Sequence, residues 1–323
     1  MQVIIPYAGT QSLHSDKQVS DIHLPNLNRL LARMYLSHSD TGSAESYSPP
    51  HERALARLHG LPSTDGYIPW AAEHAVSLGL PKALTTAWCF VTLCHCTVGL
   101  NDVQLQNPDL LQVTESESHT LLNDMQAYFA EDGLALYALA DIPHTWLVCG
   151  EPLRGMRSVS LDRVIGKNIN QWQATGNIIT KLHRLQNEMQ MLLYTHCVNT
   201  ARDRSKTANI NSLWFHGSGE LAAAQTSIAN TKVLAPRNLA DAVFSGDAQA
   251  WVVAWNELDA SVCADLLNRV NADEPITLTL CGEQNAISYA LRPNSIMNQI
   301  RNISISVFGL KSAYSLPKVL FNL

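Results

Sequence analysis

The sequence predicts a layered α/β fold, and three stretches carry that expectation. Val3-Ile4-Ile5 is a short β-branched run stopped by Pro6, so it reads as a buried strand with its loop at the carboxyl end. Residues 24–34 (LPNLNRLLARM) follow, with apolar side chains at helical spacing and a proline suited to a first turn. Far downstream, Ile276-Thr277-Leu278-Thr279-Leu280 is a second clean strand. Strand, helix and returning strand are the ingredients of helices laid on a sheet.

Between these anchors, residues 37–50 are rich in Ser, Asp, Gly and Pro and read as a loop. Residues 51–58 (HERALARL) and 71–79 read as short helices, joined by a turn-rich connector over 61–70. A buried strand is expected at 86–91 (TAWCFV). His95 then falls in the turn at its carboxyl end, where open α/β sheets hold ligands. Thr114 and Glu117 have capping-box spacing ahead of a helix over 118–131, which Asp132-Gly133 ends. Strands at 134–139 and 144–149 form a hairpin, giving an α+β insertion over roughly 110–160 in one α/β domain spanning 1–323. Residues 160–166 are a polar, glycine-ended segment; 222–230 and 238–245 read as short helices or loops. Residues 249–254 (QAWVVA) read as a strand and 260–269 as a helix. From Tyr289 onward the chain reads as helical or irregular, with apolar anchors at 306–308 and 319–321.

Composition narrows the function classes. A net charge of -6 gives no basic face for nucleic acid, and the aromatics are not interleaved with Lys and Arg. No window approaches about 18 uninterrupted apolar residues, and residues 1–11 lack the basic start of a signal peptide, so a cytoplasmic protein off the membrane is expected. Seven cysteines suit no closed disulfide framework. Cys94 and Cys96 flank His95, but Cys-x-Cys without a second Cys/His pair is not zinc spacing. Cys89, Cys149, Cys197, Cys263 and Cys281 read as buried free thiols, and no metal or cofactor is expected.

The densest chemistry lies in 182–219. An apolar helical run (Leu185, Met189, Leu192, Leu193) delivers His196, Asn199 and Arg202 at its end. A strand-like run from Asn211 then closes on Gly217-Ser218-Gly219. Positions i, i+3 and i+6 gather at one mouth, and Asn and Arg are donors for carboxylate or phosphate oxygens. A helix C-terminus whose carbonyls are capped by cations gives the same pattern, so both readings stand. Ser218 lacks the Gly-x-Ser-x-Gly elbow of a nucleophile. Arg53 is a further cation within reach of an anion, beside His51 and Glu52 at a helix start. Walker A, dinucleotide Gly-x-Gly-x-x-Gly, His-Glu-x-x-His and kinase motifs are all missing.

Several segments together resemble a proteobacterial family of the regulator-of-pathogenicity-factors E type, often labelled cofactor-independent phosphoglycerate mutase-like. They are Leu24-Pro25-Asn26-Leu27, Pro50-His51-Glu52-Arg53, Ile68-Pro69-Trp70-Ala71, Ser160-Leu161-Asp162-Arg163, Leu185-Gln186-Asn187-Glu188 and Asn211-Ser212-Leu213-Trp214. More distantly the chain is similar to the metal-dependent phosphoglycerate mutases of the alkaline phosphatase superfamily. There, an Asp-Gly metal loop after the first strand and a His-Pro-x-Asn-x-x-Arg segment serve catalysis and substrate binding. The resemblance implies an alkaline-phosphatase-like core with a mainly parallel sheet. It maps substrate recognition onto His196, Asn199, Arg202 and Asn211. Pro6 stands where the metal-binding Asp belongs, no nucleophilic Ser or Thr loop follows, and no Asp-His-Gly tract occurs later. Cys197, in place of that segment's proline, is read as drift.

The expectation is therefore a non-catalytic, regulatory or ligand-binding relative with no catalytic residues. Its anion-pocket candidates are His196, Asn199, Arg202, Arg53, His95 and Asn211, and its ligand a small phosphorylated or carboxylate compound. One alternative is a mutase or phosphatase with relocated metal ligands. Another is an interaction module that meets a protein partner through residues 314–323.

Overall fold

The computed structural model describes residues 1–11, 22–221, 233–291, 319–320 and 323. The expected elements at 222–230 and 306–308, and most of the 314–323 contact segment, lie outside the described residues. The chain divides into two compact units, Met1–Leu58 with Asn230–Leu323, and His59–Ala229. In chain order the first opens with β1 (Gln2–Ile5), α1 (Pro25–Arg33), β2 (Met34–Asp40) and α2 (Pro50–His59). The second carries α3 (Trp70–Ser77), β3 (Trp88–Cys94), β4 (Cys96–Val98), β5 (Val103–Leu105), α4 (Glu115–Glu131), β6 (Ala135–Ala138) and β7 (Thr145–Cys149). It continues with α5 (Ile179–Thr195), α6 (Cys197–Ser205) and β8 (Ser212–Gly219). The first unit is completed by β9 (Val233–Leu234), α7 (Asn238–Phe244), α8 (Ala248–Leu258), α9 (Ala264–Asn271), β10 (Thr277–Cys281) and β11 (Ala286–Leu291).

In the first unit the sheet runs β2-β11-β10-β1-β9. β1 lies parallel to both β9 and β10, whereas β11 and β2 join antiparallel. Both sheet faces are covered, which is why β1 is continuously apolar rather than alternating. Val3 and Ile5 face a core built from α1, α7, α8 and α9 (Leu27, Leu30, Trp251, Trp255, Leu266), and Ile4 faces Ala54 of α2 on the other side. The layered α/β class read from the sequence is the class observed.

The second unit holds an antiparallel sheet, β6-β7-β3-β8, beneath α4 and α5. The α4 helix begins with the expected capping box: Thr114 accepts from Glu117 N–H, and the Glu117 carboxylate accepts from Thr114 N–H. The β6–β7 hairpin pairs in register from Ala135↔Cys149 to Ala138↔Trp146.

Four expectations are corrected. The 37–50 loop begins later, because Met34–Asp40 is an edge strand paired with β11. Five of its seven residues are exposed in a row, Tyr35 and Leu36 among them, so it shows no alternation to read. Residues 249–254 are helix, not strand: Asp247 caps α8, and Trp251, Ala254, Trp255 and Leu258 form its buried stripe. Residues 286–291 are a strand, completing a hairpin with β10. Cys197 is exposed rather than buried, because it sits at the first turn of α6. Among the described residues no helix is long and apolar enough to cross a membrane.

Candidate functional site

The stretch 182–219 folds as α5, α6 and β8. Leu182, Leu185, Met189 and Leu193 bury one stripe of α5 in the second unit's core. His196 takes an extended conformation (φ -69°, ψ 142°) that ends α5 and caps α6. Its Nδ1 accepts the Val198 N–H at 3.2 Å, so the ring proton is on Nε2, which donates to Asp124 Oδ2 on α4 at 3.0 Å.

Asn199, 5% exposed, donates through Nδ2 to the carbonyls of Leu193 (2.8 Å) and Ile210 (2.7 Å), while its Oδ1 accepts the Ile210 N–H (2.9 Å). Arg202, 4% exposed, donates through Nε to Ala208 O (2.7 Å), through Nη1 to Glu117 Oε1 (2.9 Å) and through Nη2 to Leu111 O. Burial alone would raise the Glu117 carboxyl. The Thr114 N–H and Arg202 outweigh it and hold that group below its usual range. All three side chains thus close the corner where α5, α6 and the entry to β8 meet, each polar atom satisfied by the protein itself.

His95 and Asn211 do similar work at the edge of the antiparallel sheet. His95 Nδ1 donates to Asn209 O at 2.6 Å. Asn211 pairs with Cys96, accepting its N–H at 2.7 Å and donating to its carbonyl at 2.9 Å, as a neighbouring strand would. β3 is antiparallel to both its neighbours, so the carboxyl-end rule that selected His95 does not reach it. Arg53 belongs to the first unit. It grips Asp40 through Nε (3.2 Å to each oxygen) and Nη2 (3.1 Å), and donates to the carbonyls of Ser48 and Gln284. Burial pushes the Asp40 carboxyl up, and Arg53 and Arg57 more than reverse that.

A groove of about 760 Å³ opens beside the corner, between α4 (Asp124, Tyr128) and α5 (Glu188, Met191, Leu192), and ends at His196 and Cys197. Of the six sequence candidates, only His196 lines it. Its carboxylates, Asp124 and Glu188, repel anions, and the Arg202 guanidinium is engaged elsewhere. Asp124 and the groove have no signature in the sequence, since they arise where two distant helices meet.

The metal centre implied by the family resemblance would sit at the carboxyl end of β1. There Pro6, Tyr7 and Ala8 are buried, Trp251 Nε1 donates to Tyr7 O at 2.9 Å, and Trp255 Nε1 donates to Ala8 O at 3.1 Å. The Tyr7 ring packs on His51 and Phe244, and the Thr10 hydroxyl donates to Glu283. These residues do not fit a two-metal site, which needs several convergent carboxylate or imidazole donors. Among the described residues no three His, Cys, Asp or Glu side chains gather as a metal set.

No protein-family model matches the chain, and no curated protein matches it. The solved structures it is similar to include a cofactor-independent phosphoglycerate mutase from Thermoplasma acidophilum. That protein is 13% identical, with a TM-score of 0.38 over 92% of this chain and 91% of the other. They also include the PH0037 protein from Pyrococcus horikoshii, 11% identical, with a TM-score of 0.45 over 97% of this chain and 98% of the other. Likeness at this level gives no residue of this chain a role.

Proposed function

We propose that this chain is a non-catalytic relative of the metal-dependent phosphoglycerate mutases, one that lacks a phosphoryl-transfer centre at the end of its first strand. A regulatory role suits such a protein. The observation that carries the reading is the replacement of a metal loop by Pro6-Tyr7-Ala8, built into the core and hydrogen-bonded by two buried indoles. Phosphoryl transfer in that mutase family depends on metal ions and a phosphorylated serine, and Pro6, Tyr7 and Ala8 supply no carboxylate or imidazole donor for such a metal. The inward commitment of Asn199 and Arg202 supports the same reading, because a substrate-binding fork would keep donors for the ligand.

Mutase and phosphatase assays on the purified protein, with and without Mn, Mg and Zn, test this, together with metal analysis. No turnover above blank and substoichiometric metal are expected. Stoichiometric metal with phosphoryl release overturns it and favours relocated ligands. Thermal shift with phosphorylated three-carbon acids should be flat; a saturable rise would return the corner to a ligand-binding role.

A further inference from the structure

The groove between α4 and α5 ends on the thiol of Cys197. Of the seven cysteines five are buried and Cys96 is half-buried, so Cys197 alone is exposed. Its Sγ lies 3.9 Å from His196 Nδ1, and His196 Nε2 lies 3.0 Å from Asp124 Oδ2. Three elements therefore bring together a nucleophile, a base and a carboxylate that orients the base. Asp124 accepts the Nε2–H bond, so the Nδ1 lone pair, which accepts the Val198 N–H, also faces the thiol. Cys197 is also the first residue of the nine-residue α6, at the end of that helix that meets the groove.

We infer that Cys197 is a reactive thiol served by His196 as base, and that it is oxidised by small uncharged hydroperoxides entering the groove. The groove selects for such an oxidant: Asp124 and Glu188 disfavour anions, while Tyr128, Met191 and Leu192 offer apolar walls. In the reaction Sγ attacks one peroxide oxygen, an S–O bond forms and the O–O bond breaks. Sulfur is oxidised by two electrons and the peroxide is reduced. His196 Nδ1 receives the thiol proton and passes it to the departing oxygen, which leaves as water or an alcohol. The product is a cysteine sulfenic acid. This step is independent of the phosphoryl-transfer reading above and survives its failure.

The test uses the reduced, full-length protein, hydrogen peroxide, and dimedone to trap sulfenic acid, with peptide mass spectrometry over time. Cys197 should be trapped ahead of Cys96. Asp124→Ala, at a half-exposed helix position, should slow trapping at Cys197 at least about tenfold, the lower end for loss of positioned proton transfer. His196→Asn keeps a good helix cap and should slow it similarly. Glu131→Ala removes an exposed carboxylate at the end of α4, outside the groove, and should leave the rate within about twofold. If Asp124→Ala is unchanged, or changes only in step with Glu131→Ala, the thiol is merely exposed and the inference is wrong. Trapping of Cys197 no sooner than Cys96 overturns it equally.

Discussion

Replacing Arg202 with alanine separates a structural corner from a ligand fork. In the wild type the guanidinium serves three acceptors: Ala208 O, Glu117 and Leu111 O. Ala208 is exposed, so water can replace that bond at little cost. Leu111 is buried, and orphaning its carbonyl costs about 1–3 kcal/mol. Loss of the charge-assisted bond to the partly exposed Glu117, after solvent screening, adds about 1 kcal/mol. With the stem's packing also lost, the expected destabilisation is about 3 kcal/mol. Urea denaturation followed by tryptophan fluorescence reads it as a lowered midpoint. Arg202→Lys should recover only part, since an ammonium cannot span the three acceptors. The Glu117 carboxyl is held below its usual value in the fold, so its contribution is present above the unfolded value and lost as pH falls through the folded one. That acid-side loss should shrink in Arg202→Ala. A change under about 1 kcal/mol would refute the structural assignment, because residues kept for ligands are removed cheaply or with a gain in stability.

Two further perturbations test the second unit's interior. His216, stacked on Phe90 and 2.9 Å from the Thr92 hydroxyl, has its pKa pushed down to about 4, chiefly by burial. The unfolded chain therefore takes up a proton that the fold refuses; stability is complete above about pH 6.5 and falls as pH drops toward 4. The loss should reach about 2 kcal/mol by pH 5, and denaturation midpoints of His216→Gln across that range should show a shallower slope. Thr114→Ala removes one arm of the α4 capping box and should cost about 1 kcal/mol in thermal or urea unfolding; no measurable change would mean that Glu117 is held by Arg202 alone.

Local signals were enough for much of the fold. β1 and β10 declare themselves by β-branched or alternating composition, α1 by spacing, and α4 by its capping box, all within a few residues. α8 misleads because Trp251-Val252-Val253 imitates a strand, while the stripe that makes it a helix runs on to Leu258. β2 is hidden because an edge strand exposed along most of its length has no buried alternation and runs straight into a Ser, Gly and Pro loop. At the corner, spacing shows that His196, Asn199 and Arg202 belong together. It cannot show that they turn inward, since the partner of Arg202, Glu117, lies 85 residues earlier. Asp124 is beyond local reach for the same reason: it stands 72 residues from His196.

The pairing of β1 also sets an order of events during synthesis. Gln2–Ile5 leaves the ribosome well before its parallel neighbours, Val233–Leu234 and Thr277–Cys281. At cellular elongation rates that wait is on the order of tens of seconds. Meanwhile the whole of His59–Ala229 has emerged and can fold, its antiparallel strands all drawn from within it. Until β9 and β10 appear, the apolar Val3-Ile4-Ile5 stretch has no sheet to join, so the first unit closes only after the second is complete.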